Sequence, residues 1–214
     1  MDHRTIDLAL VVDTFLLLLI GIGPKIALVP FVETTAGMDS VTKARVVRKM
    51  LVTAAVVAVL LIFLGELLAR LLHFSTGSLS IAGGIILVII AVSMVLRSDD
   101  PAHGPVGEER DPMRVAVFPL AVPYLLNPAG IVMLVTISAE ADSASVVGLV
   151  LGLLVVVLAL DVAVFRWANH VSQRMDPSRM LITEKVFGFL LAALAVQLML
   201  DGLQSVGVIH LSGH

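Results

Sequence analysis

Asn127 and Pro128 sit at the middle of one long apolar run, and Gly23, Pro24 and Lys25 sit inside another. Proline has no N–H to give, so it breaks a helix or starts one. An asparagine just before it offers a side-chain cap to the first helical turn. A helix that begins at membrane depth turns unsatisfied amides and the positive end of its dipole toward whatever fills the break. That chemistry suits a carboxylate. Helix ends at Pro24 and Pro128, with Gly130 in the turn after the second, are expected to hold the carboxylate of a small substrate between them. Broken-helix carbonyls or an acidic side chain would take an ammonium. Proline also serves membrane helices simply as a bend, and that reading stands beside the first.

Charged residues within apolar runs add to the inventory. A lysine near the bilayer centre costs roughly 3 kcal/mol on insertion scales, so Lys25 either attracts an anionic group or snorkels its stem toward the cytoplasmic surface. Buried carboxylates carry protons in coupled transporters. Asp13 is the deeper candidate and has no local partner; Asp161, near a cytoplasmic end, has Arg166 five residues away. Glu66 and Asp201 fall near the outer interface, where hydration explains them. Ser93 and Gln197 occupy equivalent places in two later runs, where they line the cavity or join helices by hydrogen bonds. Gly83, Gly84 and Gly188 suit close helix approach, and Gly148 with Gly152 form a small-residue pair.

The elements that must position these residues are membrane helices. Hydrophobic residues make up 58% of the 214 and charged ones 14%. About 20 apolar residues cross the roughly 30 Å of a bilayer's hydrocarbon. Six spans are expected, at about 6–32, 49–70, 74–96, 115–139, 145–165 and 186–204, with the first and fourth broken. The first apolar run is too long for a cleavable signal and lacks a small-residue cleavage pattern. Lys43, Arg45, Arg48 and Lys49 follow span one, Arg97, Arg110 and Arg114 follow span three, and Arg166, Arg174, Arg179 and Lys185 follow span five. Only Arg4 and Arg70 fall on the other side. Positive loops stay in the cytoplasm, so both termini are expected outside, in the periplasm of an inner-membrane protein.

A shift of 104 residues lays Pro24 on Pro128, Gly84 on Gly188 and Ala91 on Ala195. Three spans per half would invert one copy relative to the other. The expected fold is therefore all-α and polytopic, with six transmembrane helices in two inverted three-helix repeats. The repeats are residues 1–96 and 115–214 of one integral domain, joined by a polar Pro/Gly linker at 97–114.

The segments PLAVPYLLNPAGIVML, IAGGIILVIIAVSMVL and GFLLAALAVQLMLDGL resemble the signature stretches of the MarC family, in order and over essentially the whole chain. Pro24 matches the proline of the family's first Asn-Pro pair, but Gly23 replaces its asparagine and Lys25 an apolar residue. Pro119, Pro123, Pro128, Gln197 and Gly202 fit the later motifs. Asn127 stands where glycine is frequent, and Asp201 where asparagine is.

The resemblance implies transport of a small neutral amino acid such as alanine or glycine, coupled to a proton or sodium gradient and working by alternating access. A channel, an exporter of another small solute and a non-transporting assembly protein are the other readings. An enzyme is not expected, because no HExxH pattern and no serine beside a base is present. Cysteine is absent, which excludes disulfides and thiolate metal sites. No cofactor and no nucleic-acid partner are expected; the bilayer is the environment.

Overall fold

The computed structural model describes residues 8–96, 111–140, 143–171 and 177–209. The helices are α1 (Leu8–Gly21), α2 (Pro24–Thr34), α3 (Ser40–Leu72), α4 (Thr76–Leu96), α5 (Pro112–Val115), α6 (Pro128–Glu140), α7 (Ala144–Val171) and α8 (Pro177–Ser205), with a kinked π-helical segment, Ala116–Leu125, between α5 and α6. Among the described residues, four helical stretches are long and apolar enough to cross a membrane: Ser40–Leu72, Thr76–Leu96, Ala144–Ala168 and Lys185–Ser205. The other two expected spans are divided into shorter helices, α1 and α2 in the first and Pro112–Leu125 and α6 in the second. Residues 97–110 of the expected linker lie outside the described residues. Its last part is helical, with Asp111 capping α5 through an Oδ1 that accepts from Met113 N at 2.9 Å.

Span one breaks between Gly21 and Pro24, as its glycines and proline predict. Span four departs further from a helix than a single break. Phe118 (φ −137°, ψ 125°) and Val122 (φ −135°, ψ 124°) are extended. Each precedes a proline, whose ring disfavours the α conformation in the residue before it; both of these X-Pro bonds are cis.

Span two starts nine residues before the expected position, and its N-terminus explains why. Asp39 Oδ2 accepts from Val41 N and Thr42 N, both at 3.0 Å, which starts α3 ahead of its basic turns. Thirty-three residues at 1.5 Å each span about 50 Å, well beyond the hydrocarbon, so the first turns lie outside it. His73 closes the helix in the left-handed conformation (φ 56°), its N–H turned back onto Ala69 O and Arg70 O.

Hydrogen bonding by Thr42, hydroxyl first and backbone N–H next, holds the Asp39 carboxyl below the usual carboxylate range. A depressed folded value means the cap's contribution is complete above the ordinary carboxylate range and is lost as pH falls through that lowered value. Asp39→Ala is expected to speed amide exchange at Val41 and Thr42 at neutral pH. The difference between variant and wild type should close on acidification; a difference that persists when the carboxyl is protonated would remove the cap.

α4 and α8 pack antiparallel along a seam of small residues. A Cβ on Gly77 would lie 2.9 Å from Gly202 O, one on Gly84 2.8 Å from Ala195 O, and one on Gly188 3.2 Å from Ala91 O. Gly77, Gly84 and Ala91 recur every seven residues, as do Gly188, Ala195 and Gly202. A seven-residue repeat keeps one stripe facing the partner, and residues without large side chains let the backbones close up. Lys185 Nζ then reaches across to Met94 O at 3.2 Å, near the C-terminus of α4.

The remaining core joins broken helices to long ones: α3 packs on α6 and the Ala116–Leu125 segment, and α7 packs on α1 and α2. Leu18, Ile22, Leu87, Leu120, Leu125, Leu126 and Leu154 are buried there, and Phe31 meets Phe165 edge-on with ring centroids 5.2 Å apart. Large apolar side chains cover the outside, among them Val52, Phe63, Ile89, Val155 and Phe189. That exterior is what a lipid-facing surface requires.

Candidate functional site

The two breaks meet in the core. Ile22 and Leu126 form an isolated antiparallel bridge. Gly23 N donates to Leu125 O at 3.2 Å, and Asn127 N donates to Gly21 O at 3.0 Å. A shift of 104 residues turns Gly23 into Asn127 and Gly21 into Leu125, so it exchanges these two bonds and the bridged residues as well. Ile22 N donates to Leu18 O at 2.7 Å and Leu126 N to Ala121 O at 2.9 Å. Backbone groups freed by the breaks thus satisfy one another, which matters because an orphan in hydrocarbon costs several kcal/mol.

Pro24 and Pro128 each open a helix, α2 and α6, at this bridge. Asn127 is the cap of the second. Its Oδ1 accepts from Gly130 N at 3.0 Å, three residues on, and its Nδ2 donates to Ile20 O at 2.7 Å in the last turn of α1. Both ends of this fully buried side chain are therefore used within the protein, and so is the Gly130 N–H. The sequence places Asn127 and Gly130 at a substrate; in this conformation they instead clamp one break to the other. Gly130 lies directly on Gly21: a Cβ on Gly130 would sit 2.6 Å from Gly21 C and 2.8 Å from Gly21 Cα, and closer still to Gly21 O.

Gly23 is buried, while Pro24 and Lys25 are half-buried at the start of α2. Lys25 makes no hydrogen bond or ion pair among the described residues, and its place in the first turn of α2 adds charge to the positive end of that helix dipole. α4 reaches the same region through Gly83, where a Cβ would lie 3.3 Å from Pro128 Cβ.

Four other expected site residues fall elsewhere or differ in surroundings. Ser93 is exposed and donates to its own helix at Ile90 O, 2.7 Å away. Gln197 is exposed and donates to Asp201 on α8 at 2.7 Å. Neither lines the bridge. Asp13, expected to be the deeper carboxylate, is exposed on α1, whereas Asp161 is fully buried with neither oxygen hydrogen-bonded. Five residues turn a helix by about 500°, so Arg166 points some 140° away from Asp161 and is exposed. Glu66 pairs with Arg70 one turn on. Gly148 and Gly152 have nothing within 4 Å of an added Cβ, so that small-residue pair packs no helix among the described residues.

Two features escape the sequence reading. The contact of Gly21 with Gly130 is signalled only by glycine beside both breaks. The burial of Asp161 is signalled by the stripe Val150, Leu154, Val157, Phe165 and Ala168, which places it on the inner face of α7.

A family model described as "MarC family integral membrane protein" matches residues 8–206, both breaks included. The chain belongs to the MarC family. A UPF0056 membrane protein of Buchnera aphidicola subsp. Schizaphis graminum is 26% identical over 195 residues, which is 91% of this chain and 96% of the relative. The UPF0056 membrane protein YvbG of Bacillus subtilis is 23% identical over 193 residues, 88% of this chain and 92% of the relative. The UPF0056 inner membrane protein YhgN of Escherichia coli K12 is 27% identical over 168 residues, 76% and 79% of the two chains. No solved structure matches. In this MarC chain the region of greatest chemical interest is accordingly the paired break, where two helix N-termini and Lys25 gather positive charge around satisfied backbone.

Proposed function

We propose that this MarC-family protein carries a small zwitterion, a neutral amino acid of alanine or glycine size, across the inner membrane by alternating access and ion coupling. The observation that carries the reading is the bridge between Ile22 and Leu126, from which α2 and α6 both start. Helix starts at such depth are how several transporter folds hold a carboxylate. Lys25, half-buried and unpaired among the described residues, is the group placed to meet that carboxylate.

The chain reads as two inverted repeats, 1–96 and 115–214, with each broken pair of helices acting as one composite crossing. Two facts support this. The bridge hydrogen bonds exchange under the 104-residue shift, and Gly84 against Ala195 mirrors Gly188 against Ala91 under the same shift. Rocking one half against the other would then pivot on the bridge. The basic residues of 43–49 and 166 support a cytoplasmic position for those ends and an outside position for the termini, and the name of the similar YhgN agrees with an inner-membrane location.

Counterflow of labelled alanine and glycine into proteoliposomes tests the proposal. Wild type is expected to show saturable, stereoselective exchange. Lys25→Gln should raise KM about tenfold, the equivalent of ~1.4 kcal/mol, the scale of one charge-assisted hydrogen bond. Flux that does not saturate would replace the carrier with a pore, and wild-type-like exchange in Lys25→Gln would move the carboxylate site elsewhere.

A further inference from the structure

Asp161 has no part in the site at the bridge, yet it is the described acidic side chain with the most demanding surroundings. It occupies a core position of α7 between Val157 and Phe165, fully buried, with Oδ1 and Oδ2 both lacking a hydrogen-bond partner. The elements packed against α7 are α1, α2 and α3. Their charged residues are Asp13 on α1, Lys25 and Glu33 on α2, and Lys43, Arg45, Arg48, Lys49, Glu66 and Arg70 on α3. Among the described side chains none of these, nor Arg166 on α7 itself, hydrogen-bonds the carboxyl. An ionised carboxylate left so would cost far more than a neutral acid. Valine or leucine would fill the space without either cost. Protonation neutralises such a carboxyl with no further ligand, so the proton is the cation these apolar surroundings suit.

A cavity lies beside it, against the same helix. Val162 and Phe165, the neighbours of Asp161 in sequence and one turn on, help wall a cavity of about 440 Å³ with Leu51 and Val52. Lys43, Arg48 and Arg166 also line it. Phe165 is also the ring that packs on Phe31 of α2, so its position is tied to the helix that starts at the bridge.

We propose that Asp161 is the proton-carrying group of the carrier described above, exchanging its proton with water through this cavity when α2 and Phe165 shift together. The inference rests on the transport reading and names its coupling residue. In the conformation described, the carboxyl is shut off and holds its proton. When water reaches it, the O–H bond breaks, water accepts the proton as hydronium, and the carboxylate left behind faces a mouth lined with cations that stabilise its charge. The cavity is therefore the release side, and reloading takes place in the opposite state.

Two readouts on the intact protein in proteoliposomes test this. In infrared difference spectra recorded as pH is stepped, wild type should show a carboxylic-acid C=O band that titrates, is missing in Asp161→Asn and is shifted in Asp161→Glu. In transport, a pH gradient should drive alanine accumulation by wild type and Asp161→Glu, whereas Asp161→Asn should keep counterflow and lose at least tenfold in gradient-driven accumulation. Wild-type gradient response in Asp161→Asn, or no titrating band that depends on residue 161, overturns the proposal. If wild type moves no alanine, the transported solute has been misassigned, and the infrared arm still decides for or against Asp161. Should Asp161→Asn fail to insert, the band shift in Asp161→Glu decides it.

Discussion

Gly130→Ala is expected to abolish the folded protein, the largest effect of a single methyl group added at any described glycine. The new Cβ would lie 2.6 Å from Gly21 C and 2.8 Å from Gly21 Cα. Its neighbours are backbone and cannot turn away as a side chain would. Overpacking costs about 1–3 kcal/mol where side chains can yield, and more where they cannot. Relief would require separating the strands of the bridge, which breaks Asn127 N to Gly21 O and Gly23 N to Leu125 O together. Gly21→Ala should fail in the same way, since its Cβ would lie 3.0 Å from Gly130 N and closer to Gly130 Cα. Gly148→Ala is the control. It is mid-helix with nothing within 4 Å, and exchanging glycine for alanine in a helix is worth up to about 1 kcal/mol of stability. Detergent-solubilised material examined by size exclusion and thermal unfolding should lose its monodisperse peak for the first two variants and keep or improve it for the third. A stable Gly130→Ala protein would mean that the two breaks do not touch.

Asn127→Ala should rank next, at about 2–4 kcal/mol. Loss of an asparagine cap costs ~1 kcal/mol. Removal of Nδ2 leaves Ile20 O buried without its bond, worth a further ~1–3 kcal/mol. Asn127→Asp separates the two contributions: it keeps an acceptor for Gly130 N and gives up the donor to Ile20 O, while adding a buried charge. Unfolding midpoints, together with amide exchange at Gly130, would measure both. Protection of the Gly130 amide should fall in the alanine variant and persist in the aspartate one. An alanine variant with unchanged protection and midpoint would refute the clamp. Any loss of transport in either variant reads first as loss of the clamp, which is why Lys25 is the better probe of substrate.

The sequence made the breaks legible because proline within an apolar run has few other meanings. Pro24 and Pro128 do start helices, and the shift that pairs them also pairs the small residues of the α4–α8 seam. Span boundaries were less legible, since caps such as Asp39 extend α3 into polar sequence that hydropathy assigns to a loop. What lay out of reach was rotation about the helix axis. Ser93 and Gln197 are polar residues in apolar helices, and nothing local says that they face outward. Asp13 and Asp161 differ in burial because α7 carries an unbroken inward stripe through 161 while residue 13 lies off the packed side of α1. Nor could single-residue reasoning foresee that Asn127 would be spent on Ile20, a partner 107 residues away.

The α4–α8 seam also governs the order in which the molecule can be completed. The glycines of α4 are made early, and their partners Gly188, Ala195 and Gly202 lie in the last helix of the chain. While α5 to α7 are still being inserted, a ridge of bare backbone on α4 must wait against lipid, which fits it poorly. The bridge between the breaks closes once α6 is present, before α8 exists. Biosynthesis therefore joins the two breaks first and locks α4 against α8 last, so a chain interrupted before α8 would keep the bridge and lack the brace.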